Sequence, residues 1–288
     1  MNTATPATLT LAEVIADFNH LPPLPRVAME LMDYLQSSDV DPEHVARLLA
    51  QDQVLAAKSL RIANSSFYGL SRTISNIHEV ITILGLRTVH TIVTTAAISS
   101  MFHALHAALE TASYDQHVFW RHSIGTAFCA RALSRAMQVN PETAYTAGLL
   151  HDIGYIVLAT RFPKHFNLAM AQRNQRDCLL IEAEHATLGF DHTQIGAALA
   201  QRWNFPDEIC VAIAWHHTPE EQTAQSLAGV VHLADIMAHA LNLAEDETPL
   251  VPKLSSVVWN RSGLDWSRFK QLLGEVETQF QDADLLLH

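Results

Sequence analysis

The stretch Ala147-Gly-Leu-Leu-His-Asp-Ile-Gly-Tyr-Ile-Val-Leu158 places an imidazole beside a carboxylate, at His151 and Asp152, in an otherwise apolar run. A run of this length and apolar character is typical of buried helix. Burying an unpaired charge costs several kcal/mol, which is comparable to the net stability of a domain. The pair therefore predicts partners elsewhere in the chain: a metal ion, a reacting group or a hydrogen-bond network.

The sequence on both sides of this stretch is patterned for helices. Asn140 and Pro141 supply a capping residue and a first helical residue directly before it, and Asp41 with Pro42 repeats the same signal. No alternation of β-branched residues bounded by hairpin turns stands out. The pattern predicts an all-α fold.

The best candidate for a domain boundary is the polar stretch from Glu110 to Gln116. It predicts an N-terminal helical half over residues 1–112 and a C-terminal helical half over residues 113–288. Within the second half, the segment from Glu245 to Pro252 contains two prolines. It is predicted to be an exposed loop before a final helix.

Composition indicates a folded protein with a large core, because 49% of the 288 residues are hydrophobic and 17% are charged. The formal net charge of −12 argues against binding to nucleic acid or to an anionic membrane, which requires a basic surface. The three cysteines lack the spacing of disulfide or zinc motifs. We expect a cytoplasmic protein without a membrane span.

Seven histidine and aspartate residues lie within 114 residues of one another, each inside or at the end of a predicted helix. Because neighbouring helical residues point about 100° apart, an adjacent pair serves one centre only where a helix ends or presents its flank. A nitrogen-rich set with two carboxylates favours Fe, Mn, Ni, Co or Zn over Ca or Mg. We predict one or two such divalent ions, with Asp152 as the bridge if there are two. The candidate ligands are His122, His151, Asp152, His192, His216, His217 and Asp235.

Each of these residues also has a structural interpretation. A lone histidine at a helix end is more often a hydrogen-bonded packing residue than a ligand, whereas the ordered series of seven is more specific than any member. In the N-terminal half, Arg61, Asn64, Ser65 and Tyr68 are candidates for a recognition surface. Ordinary helix-ending contacts of Asn64 and Ser65 are the favoured alternative.

The order of these motifs resembles the HD superfamily of metal-dependent phosphohydrolases, and more closely the HDOD family, the HD-related output domains of bacterial signalling. The N-terminal half carries LPPLPRVAMELMDYL and LLAQDQVLAAKSLRIANSSFYGL, and the C-terminal half carries FWRHSIG, YTAGLLHDIGYIVL and VVHLADIMAHAL. The resemblance covers nearly the whole chain. It implies an N-terminal helical subdomain packed on an HD-like helical bundle.

The resemblance also implies what the seven candidates do. They fall on the metal-ligand motifs of the related HD-GYP phosphodiesterases of cyclic-di-GMP. The sequence differs from these phosphodiesterases in three ways. Tyr155 follows the HDIG motif where those enzymes typically carry a phosphate-binding Lys, the GYP loop after His217 is missing, and Val118 replaces a Glu that some members use for a third metal.

Three functions follow as hypotheses from the resemblance. The first is a bacterial signalling output domain that acts through signalling proteins, or through a fused or cognate receiver module, and keeps a metal site without catalysis. The second is a metal-dependent phosphohydrolase acting on a cyclic dinucleotide or another nucleotide phosphate. The third, a minor alternative, is a di-iron oxygenase.

Overall fold

The computed structural model describes residues 8–35, 39–65, 68–107, 115–222, 226–247 and 250–280. Every regular element in these ranges is a helix, which confirms the all-α prediction. The N-terminal helices are α1 (Leu11–Asp17), α2 (Arg26–Leu35), α3 (Pro42–Leu49), α4 (Gln53–Ala63), α5 (Ile77–Leu84) and α6 (Leu86–Ala107). The C-terminal helices are α7 (Gln116–Ser134), α8 (Pro141–Leu150), α9 (Ile153–Arg161), α10 (Pro163–Arg176), α11 (Leu180–Leu188), α12 (His192–Arg202), α13 (Asp207–Trp215), α14 (Leu227–Ala240), α15 (Ser256–Ser262) and α16 (Trp266–Phe280).

Helices begin where the sequence supplies capping residues. The side chain of Asn140 accepts hydrogen bonds from the backbone N–H groups of the first turn of α8, and Asp41 does the same for α3. In both helices a proline is the first helical residue, where its missing N–H has no partner to lose. The start of α8 places the His151–Asp152 pair at the far end of this helix.

Helix α7 lies at the centre of the C-terminal half and packs most extensively against α8 and α14. Helix α6 also packs against α8, and one continuous hydrophobic core runs from Val14 to Phe280 through both halves. The predicted boundary near residue 112 lies outside the described residues. Within the described ranges, no helix is both long enough and apolar enough to cross a membrane.

The segment from Glu245 to Pro252 forms no helix in its described residues, and Glu245, Glu247 and Val251 are exposed as predicted. Pro252 is buried, and the chain forms the short helix α15 before α16. The hydroxyl of Ser255 caps α15, while the backbone N–H of Ser255 donates to Nε2 of His232 on α14. The residues that follow the predicted loop are thus tied to α14, and within the loop Pro252 is the one buried residue among those that the structure describes.

In the N-terminal half, Asn64 and Ser65 make helix-ending contacts. The Asn64 side chain donates to the backbone oxygens of Leu60 and Ile74 and accepts from the backbone N–H of Ile74. The Ser65 hydroxyl donates to the backbone oxygen of Ile62 at 2.7 Å. These contacts support the packing role over a recognition surface for the two residues.

Candidate metal centre

The His151–Asp152 pair lies where one helix stops and the next begins. Helix α8 ends at Leu150 and α9 begins at Ile153, so the two residues form the corner between them. Asp152 makes no capping hydrogen bond to α9, although aspartate is a favoured capping residue. Its carboxylate instead faces histidines of other helices. The corner therefore lets both members of the pair face one centre.

Two long central helices supply His122 and Asp235 from their middles. His122 lies on α7 and Asp235 on α14, and both residues are buried. Because α7 packs directly against α14, Nε2 of His122 comes within 3.1 Å of Oδ1 of Asp235. This contact joins residues that are far apart in the sequence.

The other three histidines lie at helix ends. His192 is the first residue of α12, which starts there because the Asp191 carboxylate accepts hydrogen bonds from backbone N–H groups of the first turn. His216 and His217 directly follow the last residue of α13. Since α12 packs against both α9 and α13, these ends meet beside Asp152.

The structure brings all seven residues predicted from the sequence into one cluster. Their donor atoms form three overlapping groups, and within each group the atoms lie within 4.8 Å of one another. An eighth residue, His239, joins one group. The groups are Asp152 with His192, His216 and His217; His122 with His151 and Asp152; and His122 with Asp235 and His239.

Two glycines allow α9 and α12 to approach closely enough for this convergence. A Cβ atom at Gly154 would overlap the backbone oxygen of His192 and would lie 2.6 Å from the backbone nitrogen of Gly196. Only glycine fits such an approach. Because Asp152 precedes α9 and His192 opens α12, the two glycines hold these donors side by side.

Two of the histidines have their Nδ1 atoms engaged by the backbone. Nδ1 of His151 donates to the oxygen of Gly148 at 2.7 Å, and Nδ1 of His216 donates to the oxygen of Ile213 at 2.9 Å. Since a carbonyl oxygen only accepts, Nδ1 carries the proton and Nε2 presents a lone pair to the centre. Nε2 of His216 is buried and has no hydrogen-bond partner in the part of the chain that the structure describes. A cation would satisfy this atom.

Glu184 orients His192 in the same way, and sequence reasoning missed it. Its carboxylate is fully buried, and Oε2 lies 2.6 Å from Nδ1 of His192 and accepts the backbone N–H of the same residue at 3.0 Å. A carboxylate on the far nitrogen of a metal-binding histidine fixes its tautomer and ring orientation. Glu184 belongs to α11, so no helical spacing links it to His192 in the sequence.

The distances between donor atoms fit shared cations. Two ligands bound at about 2.1 Å to one ion, with tetrahedral or octahedral angles, lie about 3.0 to 3.4 Å apart. The Nε2 atoms of His122 and His151 are 3.2 Å apart, and those of His192 and His217 are also 3.2 Å apart. Together with the unpartnered nitrogen of His216, these spacings fit a metal centre.

Asp152 directs one oxygen toward each set of histidines. Oδ2 lies 3.3 Å from Nε2 of His151 and 3.7 Å from Nε2 of His122. Oδ1 lies 3.3 Å from Nε2 of His192 and 3.6 Å from Nε2 of His216. A carboxylate placed in this way suits a bridge between two ions in a helical bundle.

Burial and mutual contacts determine the charges of the centre. Burial raises the pKa of Asp152, but the surrounding histidines, His151 foremost, outweigh it and hold this pKa well below its ordinary range. Burial likewise raises the pKa of Asp235, and the hydrogen bond from His122 leads the contacts that lower it overall. Burial, together with neighbouring histidines, lowers the pKa of His217. Ionised carboxylates and a neutral imidazole are the forms that bind metal.

A cleft of about 400 Å³ opens onto the centre and is walled by α7, α10, α11 and α14. The ring of Tyr155 lines it, stacked 5.5 Å from Phe119 and edge-on 4.8 Å from Phe166. Its phenol thus belongs to an aromatic wall. Arg173 of α10 lines the same cleft and brings a positive charge that sequence reasoning did not identify. Arg173 lies on a different helix from the HDIG motif, which explains the omission.

Comparison with known proteins agrees with this arrangement. The family model of the HDOD domain matches residues 21–219. Among solved structures, an HDOD domain protein of unknown function from Geobacter sulfurreducens superposes with a TM-score of 0.77 at 27% sequence identity, and 95% of each chain is covered.

Two relatives are longer proteins. An uncharacterized protein of Treponema pallidum is 26% identical over 251 residues, which are 84% of this chain and 46% of that protein. Ribonuclease Y of Lawsonia intracellularis is 29% identical over 177 residues, which are 60% of this chain and 28% of that enzyme. The chain therefore spans less than half the length of either relative.

Proposed function

This chain belongs to the HDOD family, and we propose that it is a signalling output domain that holds a two-ion His/Asp metal centre and acts through contacts with other proteins. Its partners in this proposal are signalling proteins or a receiver module, fused or separate. The ions are divalent Fe, Mn, Ni, Co or Zn, because imidazole nitrogens outnumber carboxylates among the donors.

The observation that carries the metal centre is the position of Asp152. Its two oxygens face different sets of histidines, and each set provides buried Nε2 atoms at distances that suit one ion. One set contains His122 and His151, and the other contains His192 with the pair that follows α13. Bound ions would supply Lewis acidity, and their binding energy would add to the stability of the folded chain.

A regulatory role is favoured over catalysis by Tyr155, which lines the cleft beside the centre. Tyr155 occupies the place where the HD-GYP phosphodiesterases that the sequence resembles carry a phosphate-binding Lys, and its ring packs into an aromatic wall. A neutral phenol does not offset the charge of a phosphate.

A second candidate function is a metal-dependent phosphohydrolase that acts on a cyclic dinucleotide or another nucleotide phosphate. The cleft supports it, because Asp152 and Arg173 both line this space. Guanidinium groups bind phosphate oxygens with charge-assisted hydrogen bonds. The similarity to ribonuclease Y supports the same bond type, because an RNA-cleaving enzyme breaks phosphodiester bonds like those of a cyclic dinucleotide.

The experiment that separates the two candidates measures metal and turnover on the same protein. Protein purified without chelators is expected to carry about two equivalents of transition metal. Asp152→Asn should lose most of the metal from both positions, because this carboxylate faces both histidine sets. Asp33→Asn, at an exposed position on α2, is the matched control and should retain the metal. Elemental analysis gives the metal content.

Turnover is then assayed with cyclic dinucleotides, nucleotides, guanosine polyphosphates and RNA on the metal-loaded protein. The output-domain proposal expects no hydrolysis above the level of Asp152→Asn. Hydrolysis by the wild type that Asp152→Asn abolishes would establish the phosphohydrolase instead. Absence of transition metal from the wild type, even after reconstitution, would contradict the metal centre in both candidates.

A further inference from the structure

His239 lies at the edge of the centre and is not one of the seven donors predicted from the sequence. It follows Asp235 by four residues on α14, so the two side chains share one face of the helix. Its Nε2 lies 3.3 Å from Oδ1 of Asp235, and its ring centroid lies 4.5 Å from that of His122. The 3.3 Å distance from His239 to Asp235 equals the distances from Asp152 to His151 and to His192.

His122 belongs to two of the three donor groups. A neutral imidazole nitrogen offers one lone pair, and Nε2 of His122 lies near both Nε2 of His151 and Oδ1 of Asp235. His122 therefore serves only one ion. Asp152 differs, because its two separate oxygens can serve two ions.

We propose that His239 is an eighth ligand of the centre, bound to the same ion as His122 and Asp235, and that it closes the coordination position facing the cleft. The inference rests on the proposed metal centre. It predicts that this ion has His122, Asp235 and His239 among its protein donors.

Exposure supports this place for His239. Its side chain is 27% exposed and lines the cleft, whereas the side chains of His122, His151 and Asp235 are at most 9% exposed. His239 is thus the most exposed of the three donors His122, Asp235 and His239. Structural metal sites are closed by protein ligands, and catalytic sites keep a position open for water or substrate. A His239 ligand would therefore explain a centre that holds metal without offering that ion to a substrate.

Cobalt(II) loading tests the proposal, because the visible absorption of cobalt reports its ligands. His239→Ala should change the spectrum and lower the affinity for one of the two cobalt ions at least about tenfold, while the other ion binds as in the wild type. Removal of a group that is only hydrogen-bonded to a metal ligand already lowers affinity by this factor. Free imidazole should restore the wild-type spectrum. Inorganic phosphate should perturb the spectrum of His239→Ala more strongly than that of the wild type.

Two further variants keep the result interpretable. His239→Gln retains the size of the side chain and should show the same loss if His239→Ala unfolds. As a control, His20→Ala removes an exposed histidine that pairs with Asp17 and belongs to none of the three donor groups. A His239→Ala or His239→Gln protein with the spectrum, cobalt affinity and phosphate response of the wild type would overturn the proposal. A wild type that takes up no cobalt or other transition metal would instead overturn the metal centre, and this inference with it.

Discussion

The two halves of the molecule bury polar side chains for different purposes. In the N-terminal half, Asn64 bonds to the backbone at both ends of a nearby loop, and the Thr95 hydroxyl donates to a backbone oxygen one turn earlier in α6. In the C-terminal half, some buried polar groups also pair with side chains of other helices, as His122 does with Asp235 and His192 with Glu184.

This difference distinguishes packing from function. A polar group that satisfies its neighbouring backbone stabilises a local structure and needs nothing further. Buried charges that converge from several helices cost free energy that packing alone does not recover. The C-terminal half carries this cost at the metal centre, so substitutions there should change metal binding, and substitutions in the N-terminal half should change stability alone.

The largest effect is expected for Gly154→Ala. The new Cβ would overlap the backbone oxygen of His192, so α9 and α12 must move apart. We expect a loss of about 3 kcal/mol or more in the free energy of unfolding, as for severe overpacking, together with loss of metal. Denaturant unfolding and elemental analysis measure the two quantities.

The matched control is Gly274→Ala on α16, where a Cβ would meet nothing within 4 Å. It should raise stability by about 0.5 to 1 kcal/mol through helix propensity and leave the metal content unchanged. Equal stability of Gly154→Ala and wild type would show that the close contact between α9 and α12 does not hold the centre together.

A smaller and more selective effect is expected for Glu184→Gln. The affinity for metal should fall about 10- to 100-fold, because the amide no longer holds the Nδ1 proton of His192 with a full charge. Glu182→Gln, an exposed change on the same helix, should bind metal like the wild type. Competition with a chelator gives the affinities.

Glu184→Gln should also release fewer protons than the wild type when it binds metal. Burial lowers the pKa of His192, but Glu184 and Asp152 outweigh it and raise this pKa well above its ordinary value. An ion must therefore displace a proton from His192 near neutral pH, and binding should weaken as the pH falls. Removing the Glu184 charge lowers the pKa and reduces this release. Calorimetry in buffers of different ionisation enthalpy measures it, and identical release by both proteins would contradict the assignment.

The smallest effect is expected in the other half, for Asn64→Ala. This change leaves the backbone N–H and oxygen of Ile74 without their partner. The free energy of unfolding should fall by about 1 to 2 kcal/mol, since the site is only partly buried, and the metal content should stay at the wild-type level. Loss of metal without loss of stability would break the distinction between the two halves.

The sequence by itself determined the helices and the identity of seven candidate donors. Capping pairs such as Asn140 with Pro141 act on the next few residues, so they can be recognised without knowledge of the fold. The His151–Asp152 pair also predicted buried partners, because two charged groups in an apolar helix require compensation wherever they fold. Ordered motifs then supplied the other five candidates.

Only the tertiary structure decided how these groups meet. Glu184 and Arg173 lie on helices without any motif, and His239 was hidden as one more histidine on an apolar helix until α7 placed His122 beside it. The direction of the two Asp152 oxygens likewise depends on how α8, α9 and α12 cross. Local sequence sets the periodicity and ends of a helix, but the angle and distance between helices result from side-chain packing over the whole core.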